Sequence, residues 1–188
     1  PGTNLDGDLL PDYESLDGLS DDDLLAALTL LTQDHTAYGY LGQNSIRTIM
    51  FSAVDLYNNR VESIYTGAST ELPRDSSQAY RQGFNTEHSW PQGQFEELEP
   101  MKSDLHHIFP TDAYSNSLRA NHDYGMTYDD GATGSLLGTN AGEGELQVYQ
   151  VRPERRGDIA RAHFYMVARY RATLVEGVAF DDNEDPTD

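Results

Sequence analysis

Two stretches of the sequence concentrate side chains that can do chemistry. The first is FNTEHSWPQG, residues 84–93, and the second is MKSDLHHIFPTDAYSNSLRANHDYG, residues 101–125. The first stretch places Glu87 directly before His88. A carboxylate is an oxygen ligand that suits magnesium or calcium, and a neutral imidazole can accept a proton from water near pH 7. The pair therefore supplies the two groups that metal-assisted hydrolysis of a phosphate ester requires, a metal anchor and a general base.

The position of this pair along the backbone decides whether both side chains can serve one site. Neighbouring residues on a regular strand point to opposite faces, so the two side chains can converge only where a strand ends or bulges. Pro91 follows closely and cannot donate to a strand ladder, which predicts that a strand ends here. A surface glutamate beside a half-buried histidine is the alternative interpretation of the same two residues.

The second stretch predicts a helix over about residues 113–121, capped by Thr111 or Asp112. Asn116 falls in the middle of this helix, where asparagine is a poor helix former. Its amide oxygen is therefore a candidate ligand for a hard cation, and a solvent-facing asparagine is the alternative. Arg119 lies one turn later, where it can bind a phosphate oxygen or fix a carboxylate.

The adjacent histidines His106 and His107 raise the alternative of a zinc site. Adjacent residues on a strand cannot easily bind one metal together, and the sequence contains neither cysteine nor an HExxH motif. We expect instead that one imidazole packs inside with a hydrogen bond and that the other helps to orient the site. Asp104, two residues earlier, is expected to support the same region.

The rest of the sequence predicts the elements that must position these residues. Ser20 is a good N-cap for a helix that reaches about Thr32 with leucines at helical spacing. Residues 44–52 predict a second short helix, and Asn58-Asn59 predicts the turn of a hairpin whose returning strand is 61–65. Residues 68–80 and 126–147 are polar or rich in glycine and predict loops. A short strand from Gln147 is expected to stop before Pro153.

The longest helical pattern is RGDIARAHFYMVARYRATL, which begins at Arg156. The apolar spacing predicts that one stripe of this helix is buried. The residues of this predicted stripe are Ile159, Ala162, His163, Met166, Val167 and Tyr170. The elements together predict an α+β fold of mixed helices and short antiparallel strands.

Length, charge and composition set the wider limits. At 188 residues a single domain is expected, with residues 1–12 as a lead-in and 181–188 as a frayed tail. The absence of cysteine excludes disulfides and thiolate metal sites. No apolar run approaches the roughly 18 residues of a membrane helix, so no membrane association is expected.

The sequence is strongly acidic, with 32 acidic against 12 basic residues and a formal net charge of −20. Two interpretations are an adaptation to high salt, where screening relieves self-repulsion, and an ordinary acidic surface. Such acidity disfavours a phosphate backbone as a partner, but the bases are unevenly placed. Six of the twelve lie between Arg152 and Arg171. Within this group we expect Arg152, Arg155 and Arg156 to bind substrate phosphates.

The spacing of the motifs resembles the bacterial endonuclease I family, nucleases of the ββα-metal (His-Me finger) superfamily. FNTEHSWPQ, SDLHHIFPTD and NSLRAN carry the resemblance, and SLDGLS, RTIMFSAVD, VESIYTG and RGDIARAHFYMVARY extend it over about residues 10–175. It implies a ββα-metal core in which Glu87 and Asn116 hold magnesium, replaceable by manganese or calcium, and His88 is the general base. It also implies a secreted or periplasmic monomer that cuts double- and single-stranded DNA, and RNA, with little sequence preference, leaving 5′-phosphates.

Three departures from the family pattern affect these expectations. Ser89 stands where relatives often have valine or threonine, and the disulfides of many relatives are absent. Some members carry an arginine between the catalytic histidine and the second motif, whereas here Lys102 is the only base between His88 and Arg119. We therefore expect Arg119 to act first as the clamp on the scissile phosphate, with Lys102 or the cluster at 152–156 behind it.

Three other functions compete with this interpretation. One is a zinc-dependent hydrolase using His106 and His107. Another is an acidic calcium-binding secreted module that rests on the aspartate-rich ends of the chain, such as NLDGD near the start. The third is a degenerate nuclease kept only for binding, which the intact Glu87, His88 and Asn116 disfavour.

Overall fold

Short helices and two-stranded hairpins alternate along the chain. A computed structural model describes residues 13–34, 36–71, 73–128, 134–142, 144 and 146–177, with side chains described as far as Tyr170. The described helices are α1 Asp21–Thr32, α2 Ile46–Ile49, α3 Ser76–Arg81, α4 Ala113–Arg119 and α5 Arg156–Gly177. The described strands are β1 Arg60–Glu62, β2 Ser69–Glu71, β3 Phe84–His88, β4 Ile108–Asp112, β5 Leu136–Thr139 and β6 Gln147–Gln150.

The centre of the fold is the ββα unit formed by β3, β4 and α4. The two strands are antiparallel, with Glu87 opposite Phe109 and His88 opposite Ile108. Helix α4 follows β4 without a loop, because Asp112 ends the strand and caps the helix, its Oδ1 accepting a hydrogen bond from the Ser115 amide at 2.8 Å. Helix and hairpin are thus fixed to each other at the point where the two reactive stretches meet.

The two faces of this hairpin contact different apolar clusters. Phe84 and Ile108 belong to a cluster that also contains Met50 and Phe51 from the end of α2 and its π-helical continuation. Phe109 points the other way and packs against a second cluster, which is built around Tyr65. Residues alternate between faces along a strand, so Glu87 and His88 face different clusters. The sequence analysis placed the pair at a strand end, where the two side chains could converge. The pairing instead stays regular through His88, so the side chains of Glu87 and His88 point to opposite faces.

Two further hairpins flank the unit. β1 pairs with β2 and β5 pairs with β6, both antiparallel, so every described sheet has two strands. The predicted α+β class, with helices and short antiparallel strands, is confirmed.

The long helix α5 closes the molecule. Of its predicted stripe, Ile159, Ala162, Met166 and Tyr170 are buried and His163 is half-buried. Val167 is 39% exposed, so its predicted burial was wrong. Helix α1 packs across α5, and its leucines 24, 25, 28 and 31 are half-buried there. No helix in the described ranges combines the length and apolar character needed to cross a bilayer.

Several local predictions need correction. Asn58 and Asn59 do form a tight turn, with φ of 49° and 62°, and Arg60 pairs back with Tyr57 across it. Beyond this single bridge, the returning strand pairs forward with β2. The 68–80 segment contains β2 and α3 instead of only loop, and 126–147 contains β5. These elements have three to six residues, too few for a periodic pattern to distinguish them from loops.

The LHHIFP segment also differs from a continuous strand. Leu105–His107 form a 3₁₀ turn, and the strand begins only at Ile108 and continues through Pro110. Proline is tolerated because it lies on the outer edge of the two-stranded sheet, where its carbonyl accepts a hydrogen bond from the Ile64 amide at 2.8 Å. The predicted lead-in at 1–12 and tail at 181–188 lie outside the described residues.

Candidate active site

Glu87 lies at the meeting point of β3 and α4 with only 2% of its surface exposed. Its Oε1 accepts a hydrogen bond from the hydroxyl of Tyr65 at 2.8 Å and lies 3.1 Å from Nη1 of Arg119. The hydroxyl of Tyr124 is 2.6 Å from that of Tyr65 and 3.4 Å from the same carboxylate oxygen. All these contacts go to Oε1, and Oε2 has no hydrogen-bond or ion-pair partner among the described residues.

The charge of Glu87 is only partly compensated. Burial raises the pKa of this carboxyl to about 7, against the lowering effect of Arg119 and the two tyrosine hydroxyls. A cation at Oε2 would stabilise the ionised form that burial disfavours. The carboxylate is therefore held on one oxygen and left available on the other, as a metal ligand requires.

His88 points to the opposite face of the hairpin. Its ring lies 5.3 Å from that of His107 and 5.6 Å from that of Tyr40, measured between ring centroids. Nε2 lies 3.0 Å from the carbonyl oxygen of Lys102, and because a carbonyl only accepts, Nε2 must carry the proton. Burial lowers the pKa of His88 to about 3, so the ring is neutral at physiological pH and Nδ1 is a free base.

Arg119 joins the two faces of the site. Nη1 donates to the carbonyl of His88 at 3.1 Å, and Nη2 donates to the carbonyl of Ser89 at 2.7 Å. The same Nη1 contacts Glu87, and the guanidinium lies 4.6 Å from the ring centre of Tyr124. With 2% of its surface exposed, Arg119 fixes the end of β3 to α4 from inside the molecule. A direct contact with substrate phosphate stays a prediction.

Asn116 stands three residues before Arg119 on α4, and residues at this spacing lie on the same side of a helix. It is half-buried, and its side-chain amide makes no hydrogen bond within the described chain. A carboxylate oxygen and an amide oxygen are donors that suit magnesium, which retains several waters and needs few protein ligands. Glu87 and Asn116 therefore fit the predicted metal, although the described residues contain no group of three or more His, Asp or Glu that could hold one.

The supporting residues anchor the segment that orients His88. Asp104 is buried, and its Oδ2 accepts hydrogen bonds from the hydroxyls of Tyr165 and Tyr170 at 2.7 and 2.6 Å. Its Oδ1 accepts from the amide of His106 and lies 2.8 Å from that imidazole. His107 is fully buried with Nε2 at 2.6 Å from the Met101 carbonyl. One imidazole thus packs inside, as predicted, and the two histidines face different partners rather than one shared metal.

The predicted cationic residues have mostly internal partners. Lys102 pairs with Glu97, while Arg152 and Arg155 both pair with Glu62. Arg156 differs, because its Nε donates to the Val151 carbonyl and it has no acidic partner in the described part of the chain. The phosphate-binding role assigned to these four residues stays a prediction.

Tyr65 and Tyr124 were missed by the sequence analysis. They reach Glu87 from 22 and 37 residues away. No spacing rule connects residues so far apart. In the sequence alone, a tyrosine of this kind is taken for a core residue. The available signals were the VESIYTG segment, which contains Tyr65, and the second reactive stretch, which contains Tyr124.

Comparisons with known proteins agree with this geometry. The model of the family described as Endonuclease I matches residues 26–185. The chain is 29% identical over 162 residues to proteins named extracellular ribonuclease from Bacillus subtilis (strain 168) and from Bacillus amyloliquefaciens. The matches cover 84% of this chain and 53% of each relative, so the chain spans about half the length of the curated relatives it matches.

The family match covers nearly all of the described residues and includes every member of the candidate site. It agrees with a hairpin followed directly by a helix, the arrangement expected of a ββα-metal nuclease. The chain therefore belongs to the endonuclease I family.

Proposed function

We propose that this protein is a secreted, metal-dependent endonuclease that hydrolyses phosphodiester bonds of DNA and RNA without sequence specificity. The observation that carries the proposal is the arrangement at the end of β3, where Arg119 contacts both the carboxylate of Glu87 and the backbone carbonyl of His88. There a neutral, oriented imidazole directly follows a buried carboxylate that keeps one oxygen free. Family membership narrows the chemistry to nucleic-acid hydrolysis.

His88 acts as the general base. The hydrogen bond from Nε2 to the Lys102 carbonyl fixes the ring and leaves Nδ1 to accept a proton from the attacking water. The lowered pKa of His88 keeps the ring neutral and ready over the whole physiological range. Attack of this water on the phosphorus expels the 3′-oxygen and leaves a 5′-phosphate.

Glu87 and Asn116 hold the metal. When bound, magnesium would stabilise the negative charge that develops on the phosphate and on the leaving oxygen. The hydrogen bonds on Oε1 of Glu87 keep the carboxylate rotamer fixed, and Arg119 fixes α4 relative to β3. Manganese or calcium, which accept the same oxygen donors, are expected substitutes.

The printed names of the relatives favour RNA among the substrates and an extracellular location. Both single- and double-stranded DNA remain in the proposal, because phosphate contacts carry no sequence information. We also propose that the protein acts as a monomer and that its acidity adapts it to high salt.

The test is cleavage of supercoiled plasmid and of a structured RNA by the wild type and by His88→Ala, with magnesium or with excess EDTA. We expect magnesium-dependent cutting that His88→Ala loses and that the control His122→Ala keeps. Calorimetric titration with Mn²⁺ should show that His88→Ala still binds the metal. Substantial cleavage by His88→Ala would overturn the base assignment, and absence of cutting by the wild type would overturn the proposed activity.

A further inference from the structure

An apolar groove of about 310 Å³ lies against the first turns of α5. We call it the aromatic groove, and define it by Tyr124, Met126, Val151, Arg156, Ile159 and Phe164. Phe164 is 75% exposed at its edge, although the preceding turn of the same helix buries Ile159. A large aromatic side chain left in solvent beside a concave apolar surface marks a site for a ligand that shares its flat, apolar character.

The aromatic groove is continuous with the candidate active site. The ring of Tyr124 lines the groove while its hydroxyl lies 3.4 Å from Oε1 of Glu87. His163 also lines the groove, and its Nε2 lies 3.1 Å from the carbonyl oxygen of Ser89. Because a carbonyl only accepts, Nε2 donates this hydrogen bond. A substrate bound at Glu87 therefore has this groove as its immediate neighbour.

The charge at the groove fits one class of ligand. Arg156 borders it without an acidic partner in the described residues, whereas Arg152 and Arg155, a few residues earlier, are held by Glu62. An apolar and aromatic surface beside an unpaired cation complements a nucleotide, which joins a flat base to an anionic phosphate. In a protein of net charge −20, binding that relies on a base face is also less opposed by repulsion than binding through phosphates alone.

We propose that the aromatic groove binds an unpaired nucleobase next to the scissile phosphate, with Phe164 as the stacking face and Arg156 meeting an adjacent phosphate. This inference rests on the proposed nuclease function and adds its preferred substrate class. Bases in a duplex are stacked on each other and do not present their faces, so the groove favours single-stranded nucleic acid.

The experiment measures binding of a fluorescent single-stranded oligonucleotide by anisotropy, with magnesium and in the His88→Ala background, which prevents cleavage. Base stacking on one aromatic side chain contributes on the order of 1–3 kcal/mol, so Phe164→Ala should weaken binding about tenfold. Phe164→Trp should retain the affinity, and Tyr13→Ala, which removes an exposed aromatic outside the groove, should leave it unchanged. An abasic oligonucleotide of the same length should bind weakly, and with equal affinity, to His88→Ala and to the double variant that also carries Phe164→Ala.

Each result decides the proposal. The proposal is supported if Phe164→Ala lowers the affinity for the normal oligonucleotide and does not change the affinity for the abasic one. No loss, or the same loss on both oligonucleotides, overturns it. A change from dimer to monomer in Phe164→Ala, with unchanged oligonucleotide affinity, would also overturn it by showing that a second copy of the chain occupies the groove. Cleavage by the wild type, measured in parallel, shows separately whether the proposed function holds.

Discussion

At the scale of single residues, the free oxygen of Glu87 depends on what holds the other one. Tyr65 donates to Oε1 from a fully buried position and receives support from Tyr124. Partners of this kind orient a metal ligand, and their removal typically costs ten- to a hundredfold in metal affinity or activity. The hydroxyls are therefore as much part of the predicted metal site as the carboxylate.

We predict that Tyr65→Phe lowers the affinity for Mn²⁺ by roughly tenfold, as measured by titration calorimetry. The matched control is Tyr149→Phe, which removes a hydroxyl from the same cluster that is hydrogen-bonded to Ser115 and makes no hydrogen bond to Glu87. Equal Mn²⁺ affinity in the two variants would show that the hydroxyl on Oε1 does not position the ligand.

The raised pKa of Glu87 predicts how metal binding depends on pH. Its value of about 7 means that the carboxyl holds a proton below neutrality, and a metal must displace that proton to bind. Mn²⁺ affinity should therefore rise with pH up to about 7 and then level off. His88, with its pKa lowered to about 3, stays neutral over the same range, so a fall in Mn²⁺ affinity in mild acid is assigned to Glu87.

This prediction is measured by titration calorimetry with Mn²⁺ between pH 5.5 and 8.5. Glu87→Gln should bind weakly at every pH and show no slope. A steep wild-type slope that persists in Glu87→Gln would assign the titration to another group.

The residue types of the site were predictable from the sequence, but its contacts were not. Glu87, His88 and Asn116 stood out because their chemistry and spacing match a known motif. The hydrogen-bond partners of Glu87 could not be predicted from the sequence, because Tyr65 comes from a different part of the fold. Arg119 was expected first as the clamp on the scissile phosphate, with a carboxylate as the other possible partner. It contacts the Glu87 carboxylate, and the phosphate contact stays a prediction.

At the scale of elements, one buried carboxylate attaches α5 to the segment that carries the Lys102 carbonyl. Asp104 accepts from Tyr165 and Tyr170, both on α5. Burial alone would raise the pKa of Asp104, but these hydrogen bonds, with those from His106, hold it well below its usual range. A depressed pKa in the folded state means that stability is present above the unfolded value and is lost as the pH falls through the folded one.

We predict that Asp104→Ala lowers the free energy of unfolding by roughly 3 kcal/mol at pH 7, because two buried hydroxyls lose a charged acceptor. Urea unfolding measures the change. Asp158→Ala, which breaks ion pairs of Arg155 and Arg161 near the surface, is the control and should cost about 1 kcal/mol or less. Equal effects of the two substitutions would contradict an anchoring role for Asp104.

Elements with strong local signals were predicted and short ones were not. Helix α1 begins directly after the predicted N-cap Ser20, although that side chain makes no capping hydrogen bond, and α5 has a long apolar pattern. Strand β3 is followed closely by a proline. The strand pairing of β1 with β2 was missed, because the hairpin signal at Asn58-Asn59 indicated a local partner. β2 has only three residues, too few for a periodic pattern to predict a strand there.

At the scale of the whole molecule, the net charge of −20 sets the response to salt. Self-repulsion among the surface acids destabilises the folded state at low ionic strength, and screening relieves it. We predict that the free energy of unfolding rises between low and molar NaCl, as measured by urea denaturation at each salt concentration. A flat or falling trend would argue for an ordinary acidic surface.

The packing of α1 against α5 has a consequence for biogenesis. The hydroxyl of Thr29 donates to the Ala168 carbonyl, 139 residues further along, so α1 can complete its packing only after α5 is present. His163, whose Nε2 donates to the carbonyl of Ser89 directly after His88, also belongs to α5. The candidate site and its surroundings therefore form only after segments far apart in the sequence have met, and such non-local contacts slow folding.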